Sequence, residues 1–131
     1  PHVTRWLIDS SVLIDATRAR GAARDLSVGF LKDAAHDGEL WSVAPVRTEV
    51  RWAMRDDETA LIDEWFDSML WLDVTTSLAD RAGDHGRRWG RSHGLGVVDA
   101  IVAAAAEQLD ARLATLNVRD FPMFPDLQPP Y

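Results

Sequence analysis

The sequence predicts an α/β domain built on a mostly parallel sheet. Three observations carry that expectation. Short apolar runs (Trp6–Asp9, Leu40–Ala44, Trp71–Val74 and Arg112–Leu116) alternate with longer segments whose apolar residues recur at helical spacing. No repeat, linker or low-complexity block divides the 131 residues, so a single domain over residues 1–131 is expected. Acidic residues also fall where apolar runs end, which is where open α/β sheets bind ligands.

The first strand, Trp6-Leu7-Ile8-Asp9, runs into Ser10-Ser11, hydroxyls suited to cap a helix continued by Val12-Leu13-Ile14. After Gly21, residues 22–35 place Leu26, Phe30, Leu31 and Ala34 on a helical stripe, closed by an Asp37-Gly38 turn. Leu40–Ala44 reads as a second buried strand that Pro45 cannot extend. Residues 46–55 read as a helix with Val46, Val50, Ala53 and Met54 on one face. Arg47, Arg51 and Arg55 form a stripe on another, expected to face solvent or a partner. Another helix is expected over 61–70, then the strand Trp71–Val74, and a long helix from Leu78 to about Arg91 capped by Thr76 or Ser77. Gly94-Leu95-Gly96 breaks the chain before an alanine-rich helix, Val97–Leu109. The strand Arg112–Leu116, a turn at Asn117–Asp120 and a proline-containing tail complete the domain.

Composition narrows the chemistry. There are no cysteines, which removes disulfides, Cys-ligated zinc and thiol catalysis. No run approaches the roughly 18–20 apolar residues of a membrane span, and no signal segment opens the chain, so a cytoplasmic protein that avoids membranes is expected. Sixteen Asp and five Glu outweigh thirteen Arg and one Lys, giving a net charge of −7. Such a field repels phosphate at long range. Lys32, the single lysine, leaves little room for lysine-dependent phosphate chemistry. If the protein handles nucleic acid, its surplus carboxylates hold a cation.

Four acids are candidates. Asp9 and the Asn117–Asp120 turn follow strands, Glu49 lies one turn into the helix after the second strand, and Asp99 sits in the first turn of the alanine-rich helix. Each has a structural explanation on its own: a cap for Asp9, a helix-dipole partner for Asp99, an Arg pair for Glu49, a turn for Asp120. Asp99 is hardest to explain that way. Val97, Val98, Ile101 and Val102 surround it with apolar positions, and a buried carboxylate without a partner is costly. Helical angles put Glu49 beside the apolar face and away from the Arg stripe, hence inward. Oxygen donors without Cys or paired His select Mg²⁺ or Mn²⁺. Arg81, Arg87, Arg88 and Arg91, with Trp89, His85 and His93, make the most basic segment, a candidate RNA contact or simply a solvated helix face.

These residues bring a family into view. Leu7-Ile8-Asp9-Ser10-Ser11-Val12-Leu13-Ile14 resembles the opening motif of PIN-domain ribonucleases, specifically VapC-type toxins of bacterial toxin–antitoxin pairs. Thr48-Glu49-Val50, Val98-Asp99-Ala100-Ile101-Val102-Ala103-Ala104-Ala105 and Leu113-Ala114-Thr115-Leu116-Asn117-Val118-Arg119-Asp120-Phe121 resemble the next three motifs, in order. The resemblance spans nearly the whole chain. It implies a PIN-like three-layer fold, RNA as substrate, 3′-hydroxyl and 5′-phosphate products, a cognate antitoxin and a homodimer. It also implies Asp9, Glu49 and Asp99 as metal-site acids with Ser11 and Thr115 as supporting hydroxyls. The fourth acid often stands where this chain has Asn117, leaving either Asn117 or Asp120 for that position. Trp52, Trp65 and the Arg47/Arg51/Arg55 stripe are candidates for an antitoxin surface. Two alternatives are a non-catalytic RNA- or protein-binding PIN-like module and a Mg²⁺-dependent phosphoacceptor domain. The second needs a late Lys, which this chain lacks.

Overall fold

Four parallel strands lie side by side in the order β3-β2-β1-β4, with six helices packed around them. The computed structural model describes residues 3–18 and 20–131. In chain order the elements are β1 (Thr4–Ile8), α1 (Ser10–Thr17), α2 (Ala22–Asp37), β2 (Gly38–Val43), α3 (Ala44–Ala53), α4 (Thr59–Asp67), β3 (Leu70–Leu72), α5 (Thr76–His93), α6 (Val97–Leu109) and β4 (Arg112–Ala114). Short 3₁₀ turns at Asp56–Glu58 and Val118–Asp120 complete it. The expected α/β class with a parallel sheet is the architecture found.

The register places the site. β1 is central, pairing with β2 on one side (Leu7 opposite Trp41) and β4 on the other (Ile8 opposite Ala114). The order of strands therefore reverses around β1, and crevices form beyond the strand ends where that happens. Leu7 and Ile8 are fully buried, as are Val43, Val46, Leu31, Val102 and Ala103–Ala105, so the core sits directly beneath the residues that leave the sheet. Helix α6 packs against β1, β2 and β4, and its alanines allow close approach.

Several boundaries differ from the sequence reading, each for a local reason. Helix α2 runs straight into β2 without a separate turn, because Gly38 starts the strand. A Cβ there would lie 2.2 Å from the carbonyl oxygen of Thr4, so glycine alone fits. Ala44 belongs to α3 rather than β2, with Pro45 in the first turn, where its missing N–H costs nothing. Thr75 caps α5, accepting from the N–H of Leu78 at 3.2 Å, in place of the expected Thr76 or Ser77. Leu70 belongs to β3 rather than α4, and β3 ends at Leu72. β4 stops at Ala114, because β1 ends opposite it at Ile8, so Thr115 and Leu116 lie in the loop that follows.

Packing corrects other expectations. Leu26 is 55% exposed, and Ser27, Leu31 and Ala34 form the buried side of α2. Ala53 is exposed at the end of α3. Arg47 and Arg51 are not a solvated stripe: Arg47 lies over the rings of Phe66 (4.5 Å) and Trp71 (4.6 Å), and Arg51 over Phe66 (5.0 Å) while pairing with Asp63 at 2.6 Å. Arg55 is exposed. Trp65 is half-buried against the core, which leaves Trp52 as the exposed member of the expected pair. The final segment folds back across α1 and α2, where the Tyr131 hydroxyl donates to Asp15 Oδ2 at 2.8 Å and its ring meets Phe30. Burial and the Asp15 carboxylate push the Tyr131 hydroxyl's pKa well up.

Candidate active site

Asp9 is the best-fixed acid. It follows β1, caps α1 and is 1% exposed. Its main-chain N–H donates to the Ala114 carbonyl at 2.9 Å, which ties the end of β1 to β4. One carboxylate oxygen accepts from the Ser10 N–H at 2.9 Å and the other from the Thr115 hydroxyl at 2.7 Å. The Thr115 hydroxyl in turn accepts from the Asn117 N–H at 3.0 Å, and Ser11 Oγ accepts from the Leu116 N–H at 3.1 Å. Ser11 and Thr115 thus bind α1 to the loop after β4 and lock the rotamer of Asp9. Burial raises the pKa of Asp9, opposed by the Thr115 and Ser10 hydrogen bonds and reinforced by the charge of Asp120.

The other acids arrive from separate elements. Glu49, on α3, is half-buried; burial raises its pKa and so does the Asp9 charge, while a hydrogen bond with the Ser10 side chain opposes both. Asp99, in the first turn of α6, is pushed up to about 7, first by burial and then by Asp9, Asp120 and Glu49. Asp120, in the 3₁₀ turn after β4, is half-buried and adds its charge to both aspartates. Four carboxylates from α1's cap, α3, α6 and the post-β4 turn therefore share one electrostatic neighbourhood. Among the described residues no three Asp, Glu or His side chains already converge to ion-holding distance. Among those same residues, no Lys or Arg pairs with any of the four acids, so their repulsion stands uncompensated.

The remaining candidates fall elsewhere. Asn117 is exposed and its main-chain N–H donates to the Thr115 hydroxyl, while the Asp120 charge acts on Asp9 and Asp99. Arg81, Arg87, Arg88 and Arg91 are all exposed on α5. Arg87 pairs with Asp84, and Arg88 lies over Trp89 at 5.0 Å. The surround of Asp99 is less apolar than expected, since Val97 is 78% exposed while Val102 is buried. Lys32 is exposed on α2. Sequence reasoning reads Ser10 as a cap; the structure makes Asp9 the cap of α1, with the Ser10 N–H donating to its carboxylate, and the Ser10 side chain lowers the proton affinity of Glu49 against the effect of burial.

A four-stranded parallel sheet with acids directly after β1, midway along α3, in the first turn of α6 and in the turn after β4 makes an α/β domain with an acidic strand-end site, and comparison with known proteins gives it a family. The PIN domain family model matches residues 6–125, and the chain belongs to that family. It is 40% identical over 127 residues to Ribonuclease VapC19 of Mycobacterium tuberculosis, covering 95% of this chain and 98% of that one. It is 40% identical over 126 residues to Ribonuclease VapC10 of the same organism, covering 95% and 92%. Within the PIN family it is therefore a VapC-type ribonuclease. A toxin–antitoxin complex from Klebsiella pneumoniae shares the fold at a TM-score of 0.76 and 21% identity, covering 95% of this chain and 97% of that one.

Proposed function

We propose that this protein is a toxin that hydrolyses RNA phosphodiesters with a Mg²⁺ or Mn²⁺ ion held by Asp9, Glu49, Asp99 and Asp120, and that a small antitoxin restrains it. The observation that carries the metal is the crowding of carboxylates at the site. Burial, and then the charges of neighbouring acids, raise the proton affinity of Asp9, Glu49 and Asp99, Asp120 adds its charge to both aspartates, and among the described residues no Lys or Arg pairs with any of the four. The donor set is all oxygen, which suits a hard divalent cation. Such a cation supplies a phosphate clamp and an acidified water when bound.

The residues have distinct tasks in this reading. Thr115 and the Ser10 N–H hold both oxygens of Asp9, so Asp9 is the pre-oriented ligand. Glu49 and Asp99 are less constrained and close around the charge. Ser11 fixes the loop that carries Asp120. Asn117 is a neutral second choice for the place given to Asp120. Arg81, Arg87, Arg88 and Arg91 offset the repulsive field of an acidic protein by meeting RNA phosphates along α5. The antitoxin is supported by the Klebsiella neighbour, which is a toxin–antitoxin complex, and a homodimer and a cytoplasmic location are part of the same proposal. Among the described residues no helix is long and apolar enough to cross a membrane. A non-catalytic binding role is disfavoured because the acids are retained. The test incubates purified protein with total RNA, with EDTA and with Mn²⁺. Mn²⁺-dependent fragments ending in 3′-hydroxyl and 5′-phosphate are expected; equal cleavage in EDTA rejects the metal.

A further inference from the structure

Beside the acids lies a groove of about 620 Å³ between α1, α3 and α6, with Ile14, Pro45, Val98 and Trp52 as apolar lining and Ser10 and Glu49 among its polar residues. That volume suits a small organic group rather than a helix. Trp52 is 87% exposed, whereas Trp6, Trp41, Trp65, Trp71 and Trp89 are all partly buried. Among the described residues its ring meets no aromatic or cationic partner, unlike those of Trp6, Trp41, Trp71 and Trp89. Leaving an indole in water forfeits the burial that stabilises the other five. Its position is specific as well. Glu49 and Trp52 are three residues apart on α3, so they share a face with Cβ atoms roughly 5–6 Å apart.

Resting on the ribonuclease reading above, we propose that Trp52 is a stacking platform for a base of single-stranded RNA, one nucleotide step from the phosphate held at the acids. Two observations select a base over a protein side chain. The groove is continuous with the acid group through Glu49 and Ser10, so whatever occupies it adjoins the reacting phosphate. The chain's charge of −7 opposes a polyanion, so the phosphate contacts of the metal and of the α5 arginines gain from a further contact that does not depend on charge. Stacking on an open aromatic face is such a contact, and it serves any base because every base has a π-face. The platform therefore raises affinity and sets the position of the strand without dictating its sequence.

The test uses the intact protein and a short, labelled, random-sequence single-stranded RNA. Binding is read by fluorescence anisotropy with Ca²⁺ in place of Mg²⁺, and cleavage kinetics follow in Mg²⁺. Trp52→Ala is expected to weaken binding and raise KM by about tenfold or more, the effect of one lost stacked base. Trp52→Phe retains most of the affinity, since a phenyl ring still stacks. Leu26→Ala, on the exposed side of α2, changes neither quantity. Unchanged affinity in Trp52→Ala, or equal losses in the Ala and Phe variants, overturns the proposal. So does an unchanged RNA affinity accompanied by loss of a protein inhibitor, which assigns the groove to that partner. Trp52-dependent binding without any cleavage overturns the ribonuclease reading and leaves the platform standing.

Discussion

Replacing Asp99 by Asn removes a charge while keeping the shape of the side chain, so the variant relieves both the cost of burying that charge and its repulsion by Asp9, Asp120 and Glu49. Burial, and then the charges of Asp9, Asp120 and Glu49, push Asp99 up to about 7 from the ordinary 3.8. At about 1.4 kcal/mol for each tenfold change in proton affinity, the ionised form would cost about 4 kcal/mol. Solvent screens a half-buried group, and about 1–2 kcal/mol is the figure to expect at the bench. The sign follows from linkage. A carboxyl whose folded pKa is raised binds protons more tightly when folded, so stability falls as pH climbs from about 4 to about 7 and stays low above that. Asp99→Asn should therefore melt higher than wild type in EDTA at pH 8, by roughly 3–8 °C for a domain of this size. The advantage should fade as pH falls toward 4. A cation bound as proposed would stabilise the wild type by about 2.7 kcal/mol at 100 times its Kd, and this gain should shrink in the variant. Thermal melts of both proteins, with EDTA and with Mn²⁺, give all four values. If the variant melts lower in EDTA and still gains as much from Mn²⁺, Asp99 serves only its helix terminus and the electrostatic argument fails.

Other outcomes follow from single contacts. Thr115→Val removes the hydroxyl that donates to Asp9 at 2.7 Å; a loss of about 1–3 kcal/mol in urea unfolding is expected, together with a further rise in the pKa of Asp9 that moves the acid limb of the cleavage profile upward. Gly38→Ala forces a Cβ to within 2.2 Å of the Thr4 carbonyl and should cost about 1–3 kcal/mol; an unchanged melting temperature would mean the α2–β2 junction relaxes freely. Glu58, 5% exposed, accepts from Arg18 at 3.0 Å and from the Arg55 N–H at 2.7 Å; Glu58→Ala strands both donors and should lower stability by about 1–3 kcal/mol, read by chemical denaturation.

Much of this is legible in the residues because the signals are local. Alternation of apolar runs with helical stripes indicates the parallel α/β layout, and the bounds of α6 can be read because Gly94-Leu95-Gly96 breaks the chain just before it. The acids can be found because strand ends and helix starts are positions in sequence as well as in space. What escapes depends on partners distant in the chain. Arg47 and Arg51 look like surface charge until Phe66 and Trp71 are placed beneath them. Leu26 fits the helical stripe but lies on the exposed side of α2. The 3₁₀ turn after β4, which brings the Asp120 charge to bear on Asp9 while Asn117 is exposed, depends on folding that the motif alone does not show. Strand ends shift by one or two residues from the apolar runs, since pairing with a neighbour rather than hydrophobicity decides where a strand stops.

In the proposed function the acid group cuts RNA through a bound divalent cation. The most direct measurement compares cleavage of total RNA by wild type, Asp9→Asn and Asp99→Asn, each with Mg²⁺, with Mn²⁺ and with EDTA, and with folding checked by circular dichroism. The wild type should yield fragments with either metal and none in EDTA, and both folded variants should lose about a hundredfold or more. Wild-type rates from either folded variant, or full activity in EDTA, would contradict it.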